Sequence, residues 1–250
     1  MTQPPVRPSG SQVNPKVVAL VPAAGRGLRM GGPIAKQFLS LAGLPLIVHT
    51  LRVLHISSVI EEIILAVPEP DRQYCFDHIV GPHGFGKVTK IVSGGERRQD
   101  SVRHALAEVR ADAEIVLVHD AVRPFLTEDM IEQVVAQARV HGAAIVALPM
   151  RDTVKQVTKE GLVEHTVDRS PLWLAQTPQA FRRNWLEEAH AQARANGTHA
   201  TDDAHLVELL GRPVMLVEGS GENIKVTRPE DLIIGEAILA ARPEWHRSHV

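Results

Sequence analysis

The segment Val17–Met30, VVALVPAAGRGLRM, decides the fold. Val17–Val21 is apolar throughout, which is typical of a strand buried on both faces of a sheet. Small residues follow at Ala23, Ala24, Gly25 and Gly27, and they allow the backbone to approach a ligand closely. Since backbone N–H groups in such a loop can point at phosphate oxygens, we interpret Pro22–Lys36 as a phosphate-binding loop after the first strand.

Arg29 and Lys36 place positive charge within reach of the same phosphates. Two familiar phosphate-binding motifs fit poorly. The dinucleotide fingerprint requires a third small residue where Met30 stands, and the Walker A loop requires a Gly-Lys-Ser/Thr sequence that is absent. A Rossmann oxidoreductase would also need an acidic ribose-binding residue about 20 positions after the loop, yet Leu41–Leu51 is apolar. A plain strand-to-helix turn that contains glycine is the structural alternative.

Short apolar runs alternate with amphipathic ones along the rest of the chain. This alternation predicts an α/β domain with a Rossmann-like, mostly parallel sheet flanked by helices. A last helix is expected after a capping box of Thr227 and Glu230. We predict strands at Val17–Val21, Ile63–Val67, Val88–Val92, Ile115–Val118, Ala143–Leu148 and Asn223–Thr227, and helices at Pro45–Ile56, Asp100–Val109 (with Asp100 as N-cap) and Glu128–Val140.

Residues Arg151–Asp168, RDTVKQVTKEGLVEHTVD, interrupt this alternation. Their β-branched and polar residues alternate around Glu160-Gly161, the pattern of a β-hairpin exposed on at least one face. A lone hairpin has too little core of its own, so we expect this arm to pack on another surface, such as a second subunit.

The composition bounds the class of protein. The 250 residues, 44% of them hydrophobic, suffice for one core, and the net charge of −2 comes from mixed acids and bases rather than a basic stripe for nucleic acid. The single cysteine excludes a disulfide framework within the chain. Residues 1–15 lack an apolar signal-peptide core. We expect them to form a disordered tail on a cytoplasmic protein, followed by one domain (16–241) and a C-terminal tail (242–250).

Asp120 follows a buried strand, at the edge where ligands of open α/β sheets usually bind. A carboxylate there can hold Mg²⁺, and the alternative is that it caps the following segment. Its neighbour His119 is interpreted as a structural histidine, since no zinc-binding spacing is present. Arg97 and Arg98 are interpreted as solvated charges at the start of a helix.

The loop motif P-A-A-G-x-G-x-R-M, followed by Lys36-Gln37, resembles the sugar-phosphate nucleotidyltransferase superfamily. With seven further blocks in order, the chain from about Val17 to Ala241 is similar to the 2-C-methyl-D-erythritol 4-phosphate cytidylyltransferase family of non-mevalonate isoprenoid biosynthesis. The blocks are Gly94–Arg97, Asp100–Val102, Val118–Pro124, Arg151–Thr153, His165–Arg169, Thr177–Gln179 and Asn223–Thr227.

This resemblance implies transfer of CMP from CTP to 2-C-methyl-D-erythritol 4-phosphate, with release of pyrophosphate. The nucleophile is a phosphate oxygen that is ionised near neutral pH, so the reaction needs charge neutralisation and in-line positioning rather than a strong base. The alternative within the same chemistry is a ribitol-5-phosphate cytidylyltransferase, which shares the loop, the aspartate and the arm. A nucleotide-binding protein without catalytic activity is an alternative of another class.

The resemblance also implies roles for individual residues, in a homodimer with exchanged arms that uses Mg²⁺. Ala35 replaces a proline and Glu96 an aspartate that are common in the family. The catalytic residues would be Arg29, Lys36, Arg169 and Lys225. The nucleotide would be bound by Pro22, Ala23, Ala24, Gly25, Gly27, Gly95, Glu96 and Ser101, and the second substrate by Asp120, Arg123, Thr153 and Thr201.

Overall fold

A computed structural model describes residues 16–25 and 35–242 of the chain. Within them, no helix is both long and apolar enough to cross a membrane. The strands are β1 (Lys16–Pro22), β2 (Ser40–Leu41), β3 (Leu44–Pro45), β4 (Ile60–Val67), β5 (Val88–Ser93), β6 (Ala113–Val118), β7 (Ala143–Pro149), β8 (Val154–Val157), β9 (Val163–Val167), β10 (Trp173–Arg182) and β11 (Met215–Glu218). The α-helices are α1 (Leu46–Ile56), α2 (Arg72–Cys75), α3 (Arg98–Leu106), α4 (Glu128–His141), α5 (Arg183–Asn196), α6 (Asp203–Glu208) and α7 (Pro229–Ala240).

The central sheet has seven strands in the order β11-β7-β10-β6-β1-β4-β5. All neighbouring pairs are parallel except those that β10 forms with β6 and β7. The mostly parallel α/β fold predicted from the sequence is therefore confirmed. Strands β2, β3, β10 and β11 and helices α2, α5 and α6 were not predicted.

Helices cover both faces of this sheet. Along β1, Val17, Ala19 and Val21 join one apolar cluster, while Val18 and Leu20 join another on the opposite face. Helices α1 and α4 contribute to the first cluster, and α3, α5 and α6 to the second. Burial on both faces explains why the central strands are continuous apolar runs rather than alternating ones.

The strand order reverses beside β1. The chain passes from β1 to β4 and β5 on one side, then returns to β6 on the other side. At the carboxyl edge, the loops that follow β1 and β6 are each tied to the neighbouring strand: the N–H of Ala23 donates to Ala66 O of β4 at 2.7 Å, and that of His119 to Leu20 O of β1 at 3.0 Å. Such a reversal leaves a crevice in which open α/β sheets bind their ligands.

The predicted arm is present as an antiparallel hairpin of β8 and β9, inserted between β7 and β10. Val154 pairs with Val167, and Gly161 takes a left-handed conformation in the turn (φ 87°). Every side chain of the two strands is at least partly exposed. The hairpin therefore has no core of its own within the described chain.

Three local predictions were wrong. Helix α3 begins at Arg98, two residues before the predicted N-cap Asp100, which lies in its first turn. The Asn223–Thr227 segment forms no strand. At the start of α7, the acidic residue of the capping box is Asp231 rather than Glu230. Its Oδ2 accepts hydrogen bonds from the backbone N–H groups of Thr227 at 2.7 Å and Arg228 at 2.8 Å.

The glycines that end α4 and α5 offer a matched test of packing. Gly142 and Gly197 both have positive φ (93° and 64°), but a Cβ on Gly142 would lie 2.3 Å from the ring of Trp185, whereas one on Gly197 would meet nothing within 4 Å. We expect Gly197→Ala to lower the free energy of unfolding by about 1 kcal/mol through backbone strain. Gly142→Ala adds overpacking and should cost about 2–4 kcal/mol. Urea unfolding of both variants measures the difference, and equal losses would contradict this account.

Candidate active site

A first pocket lies where the loops after β1, β5 and β6 meet. Lys225, which precedes α7, closes one side of it. Of the residues predicted to bind the nucleotide, Pro22, Ala23, Ala24, Gly25, Gly95, Glu96 and Ser101 line this pocket, together with Lys36, Arg98 and Asp120. Gly27 and Arg29 lie outside the described residues.

Close approach of two loops shapes the wall of this pocket. A Cβ on Gly94 would lie 2.2 Å from Ala24 Cβ, and a Cβ on Gly95 would lie 2.2 Å from Asp100 Cβ. Ser101 Oγ accepts the N–H of Gly95 at 3.1 Å and donates to Arg97 O at 3.2 Å. The Ser101 hydroxyl therefore holds the glycine turn in place at the wall of the pocket.

Lys36 lies alongside the glycine-rich loop. A Cβ built on Gly25 would be 3.5 Å from Lys36 Cε and 3.9 Å from its Nζ. The short 3₁₀ turn Lys36–Phe38 carries the lysine back towards the end of β1. The ammonium group is thus placed beside the backbone that would face phosphate groups.

A second pocket adjoins the first and shares Arg98, Asp120 and Lys225 with it. Arg123 and Thr201, both predicted to bind the second substrate, line this second pocket. The pairing of β10 with β7 shifts register between Ala175 and Gln179, and the intervening Gln176 and Thr177 also line the pocket. These two residues were missed, although the Thr177–Gln179 block had been noticed in the sequence.

Asp120 is the centre of the wall shared by the two pockets. Its Oδ1 accepts from Arg98 Nε at 2.8 Å, and its Oδ2 lies 2.7 Å from Lys225 Nζ and 3.9 Å from Arg123 Nε. Burial alone would raise the pKa of Asp120, but the charges and hydrogen bonds of Arg98 and Lys225 outweigh it and hold the pKa well below its usual range. The carboxylate is therefore ionised and orients the surrounding cations.

Arg98 was wrongly interpreted as a solvated charge. Besides Asp120 it binds Asp203, with Nη1 2.7 Å from Oδ2 of that carboxylate, and Asp203 is almost fully buried. The other Asp203 oxygen lies 3.0 Å from His190 Nε2. Arg97 and Arg98 lie at the N-terminus of α3, where positive charge is unfavourable to the helix dipole. This unfavourable placement is the one signal in the sequence that Arg98 has a specific partner.

His119 is structural, as predicted. It is fully buried, and burial lowers its pKa to about 4, so the ring is neutral at physiological pH. Nε2 donates to Arg123 O at 3.0 Å, and Nδ1 accepts from the Thr177 hydroxyl at 3.1 Å. The same hydroxyl oxygen accepts the N–H of Asp120 at 3.1 Å. This chain of hydrogen bonds fixes the backbone from which Asp120 projects.

Thr153 and Arg169 lie at the base of the arm and line neither pocket. Both are exposed, and the Arg169 guanidinium donates to the carbonyl of Arg151 within the arm. The chain therefore does not bring these two predicted site residues to the residues that surround Asp120.

The described residues do not form a metal site by themselves. They contain no cluster of three His, Cys, Asp or Glu side chains suited to a metal ion. Asp120 is the carboxylate predicted to bind Mg²⁺, and both of its oxygens are already engaged by Arg98 and Lys225. A protein-built cage does not fit this donor set, whereas Mg²⁺ held mainly by phosphate oxygens and water does.

Gln37 is a site residue that sequence reasoning missed. It is almost fully buried in the wall of the first pocket, and neither its amide nitrogen nor its amide oxygen has a hydrogen-bond partner in the described structure. An unpaired buried amide is costly, so such a group at a pocket wall suggests a partner that arrives with the ligand.

Comparisons with known proteins all lead to one family. A sequence model of the 2-C-methyl-D-erythritol 4-phosphate cytidylyltransferase family matches residues 17–241. The protein of that name from Pelotomaculum thermopropionicum is 50% identical over 227 residues, which cover 91% of this chain and 95% of the relative. The crystal structure of 4-diphosphocytidyl-2C-methyl-D-erythritol synthase from Anaerococcus prevotii matches with a TM-score of 0.81 and 31% identity, covering 91% of this chain and 97% of its own. The crystal structure of 2-C-methyl-D-erythritol 4-phosphate cytidylyltransferase from Thermus thermophilus matches with a TM-score of 0.73 and 36% identity, covering 89% of this chain and 98% of that structure's chain.

The unpaired amide of Gln37 predicts opposite effects on stability and binding. Gln37→Met removes both polar atoms, so the ligand-free protein should be as stable as before or more stable by about 1 kcal/mol, while affinity for a nucleoside triphosphate falls about tenfold. Thermal melts with and without nucleotide measure both effects.

Gln99→Met is the matched control. The Gln99 amide has partners on both sides, Thr198 O at 3.2 Å and the N–H of Ala200 at 3.1 Å, so this variant should lose stability. A similar loss in Gln37→Met, or an unchanged nucleotide-induced shift, would show that Gln37 has no such role.

Proposed function

Because this chain belongs to the 2-C-methyl-D-erythritol 4-phosphate cytidylyltransferase family, we propose that its two adjoining pockets transfer CMP from CTP to 2-C-methyl-D-erythritol 4-phosphate. The observation that carries this proposal is the wall shared by the pockets, formed by Arg98, Asp120 and Lys225. A transfer between two bound substrates requires their reacting groups to meet, and proximity of this kind supplies much of the rate enhancement. Since CTP is a cytoplasmic nucleotide, we place the enzyme in the cytoplasm, which cell fractionation can check.

The first pocket suits CTP. The backbone of Ala23–Gly25 can approach the triphosphate, and Lys36 lies beside it. In the reaction, a phosphate oxygen of the sugar-alcohol phosphate forms a bond to the α-phosphorus of CTP. The bond from that phosphorus to the bridging oxygen breaks, and its electron pair leaves with pyrophosphate. Lys36, joined by Arg29, would stabilise the negative charge that accumulates on the α-phosphate.

The second pocket suits the polyol phosphate. Arg123 and Lys225 supply positive charge, and Thr201 adds a hydroxyl group at its edge. Asp120 holds Lys225 at 2.7 Å, so the ammonium is directed before the substrate arrives. We assign Arg123 and Lys225 to the substrate phosphate, with Lys225 nearest the attacking oxygen.

We propose that Mg²⁺ enters with CTP and is held mainly by phosphate oxygens. Bound there, it neutralises triphosphate charge. Asp120 would be the carboxylate that helps to hold the ion, and its ion pair with Lys225 would compete with the ion for Oδ2. Turnover that persists in excess chelator would count against any role for the ion.

The exposed arm supports a homodimer with exchanged arms. Thr153 and Arg169 line neither pocket of their own chain, and the arm exposes Val157, Leu162 and Val163 to the extent of 52%, 69% and 61%. Apolar side chains on a two-stranded element without a core favour packing against another surface. In the proposed dimer, Arg169 and Thr153 of one subunit complete the second pocket of the other.

Pyrophosphate release tests the reaction. We expect turnover with CTP and 2-C-methyl-D-erythritol 4-phosphate, and little with ribitol 5-phosphate. The relatives described above are all named after the methylerythritol compound. Lys36→Ala should lower kcat about 100-fold, because its charge acts on the transition state. Turnover with ribitol 5-phosphate alone would overturn the substrate assignment, and an unchanged kcat would remove Lys36 from the mechanism.

Mixed dimers test the shared site. A dimer of one Arg169→Ala chain and one Lys36→Ala chain contains one site with both residues intact, so a statistical mixture should regain about one quarter of wild-type activity. The control mixes Arg169→Ala with the Lys36→Ala/Arg169→Ala double variant, in which no site is complete. Equal activity in the two mixtures, with mixed dimers verified by mass spectrometry, would show that each chain uses its own arm.

A further inference from the structure

Arg98 occupies a position that the assigned chemistry does not use. It lines both pockets, yet its side chain is only 24% exposed and is bound to two acids from different parts of the chain. We propose that Arg98 is a positioning residue that couples the two pockets, by fixing Asp120 in the shared wall and the loop 198–203 at the edge of the second pocket. This inference rests on the proposed function, since it concerns how the same site is organised.

The geometry of Arg98 requires a guanidinium group. Nε donates to Asp120 Oδ1 at 2.8 Å and Nη1 donates to Asp203 Oδ2 at 2.7 Å, so two donors of one rigid plane hold two separate carboxylates. A lysine offers a single ammonium at the end of a flexible stem and cannot reproduce this fork. The distance between the two acids is therefore set by the side chain that joins them.

Each of the two acids in turn positions other residues of the site. Asp120 directs Lys225 and lies on the boundary of both pockets. Asp203 lines neither pocket, but it begins α6 directly after Thr201 and Asp202, which line the second. Arg98 therefore positions Thr201 indirectly, through its ion pair with Asp203.

Neighbours of Arg98 strengthen the same connection. The Gln99 amide binds Thr198 O and the N–H of Ala200, so the first turn of α3 holds the loop 198–203 at several points. Asp202 caps α6 by accepting the N–H of His205 at 3.0 Å, and Gln179 of β10 donates to the same carboxylate at 2.8 Å. The loop is thus fixed between α3 and β10, and Arg98 is the charged link that also reaches Asp120.

Local preferences argue against an accidental arrangement. Arg98 is the first residue of α3, where the partial positive charge of the helix N-terminus disfavours a cation. Burial by itself would lower the pKa of Arg98, and the pairing with Asp203 and Asp120 reverses this effect. Arg98 is thus unfavourable for the local helix and is stabilised by two buried acids. Such a conflict between local preference and tertiary structure is expected at functional sites.

The experiment compares Arg98→Lys with Arg103→Met, a control on the same helix that lines neither pocket. We expect Arg98→Lys to raise the KM for the polyol phosphate and lower kcat, with a combined loss of about 100-fold, because misplacement at a site has effects of this size. The KM for CTP should change less than about threefold, because the loop of Pro22–Gly25 is tied to β4 through the Ala23 N–H to Ala66 O hydrogen bond and makes no contact on which Arg98 is proposed to act. Arg103→Met should leave all three constants unchanged.

Asp203→Asn separates positioning from a structural role. This residue contacts no pocket, yet its substitution should also raise the KM for the polyol phosphate, and its effect should not add to that of Arg98→Lys. If Arg98→Lys fails to fold, Asp203→Asn alone carries the test. Unchanged KM values in the folded variants, or a loss of kcat that only follows the fraction of folded protein, would overturn the inference. A wild-type enzyme inactive on every polyol phosphate would instead refute the proposed function.

Discussion

The buried carboxylate of Asp120 is the constraint on which the site depends. An ionised acid that is almost excluded from water is stable only when opposite charges and hydrogen bonds surround it. Arg98 and Lys225 meet that requirement, and they come from the start of α3 and from the segment before α7. Because both segments supply a cation to Asp120, they meet at the same edge of the sheet. The ion pairs of this one carboxylate therefore form the wall between the two pockets.

The strand order makes this assembly possible. The site lies where the chain changes direction beside β1, so the loops after β1 and β6 are neighbours although the segments are about a hundred residues apart. The antiparallel β10 then lies between β6 and β7, and its irregular stretch at Gln176 and Thr177 faces the second pocket. A single reversal of order thus places the glycine-rich loop of the first pocket on one side and the second pocket on the other.

The parts of this structure that depend on local pattern could be predicted from the sequence. The apolar run Val17–Val21 predicted a strand that is buried on both faces, and the alternation in the arm predicted a hairpin that is exposed on at least one face. Strand β10 could not be found this way, because Pro178 and several polar residues interrupt it and only its neighbours β6 and β7 define it as a strand. Arg98 was missed for a related reason: its partner Asp203 lies 105 residues away, and pairing at that distance leaves no periodic signal.

The acids at the site also have a consequence for catalysis. Arginine and lysine side chains without fixed partners would reach the substrate phosphates only after losing conformational freedom, which weakens each contact they make. Asp120 and Asp203 remove that freedom in advance: Asp120 holds Lys225 before any ligand binds, and both acids bind Arg98, which in turn fixes Asp120. They also lower the net positive charge of the pockets, which limits how tightly an anionic ground state is bound. Cations held in this way favour the charge distribution of the transition state over that of the substrates, which is what a phosphoryl-transfer site must achieve without a strong base.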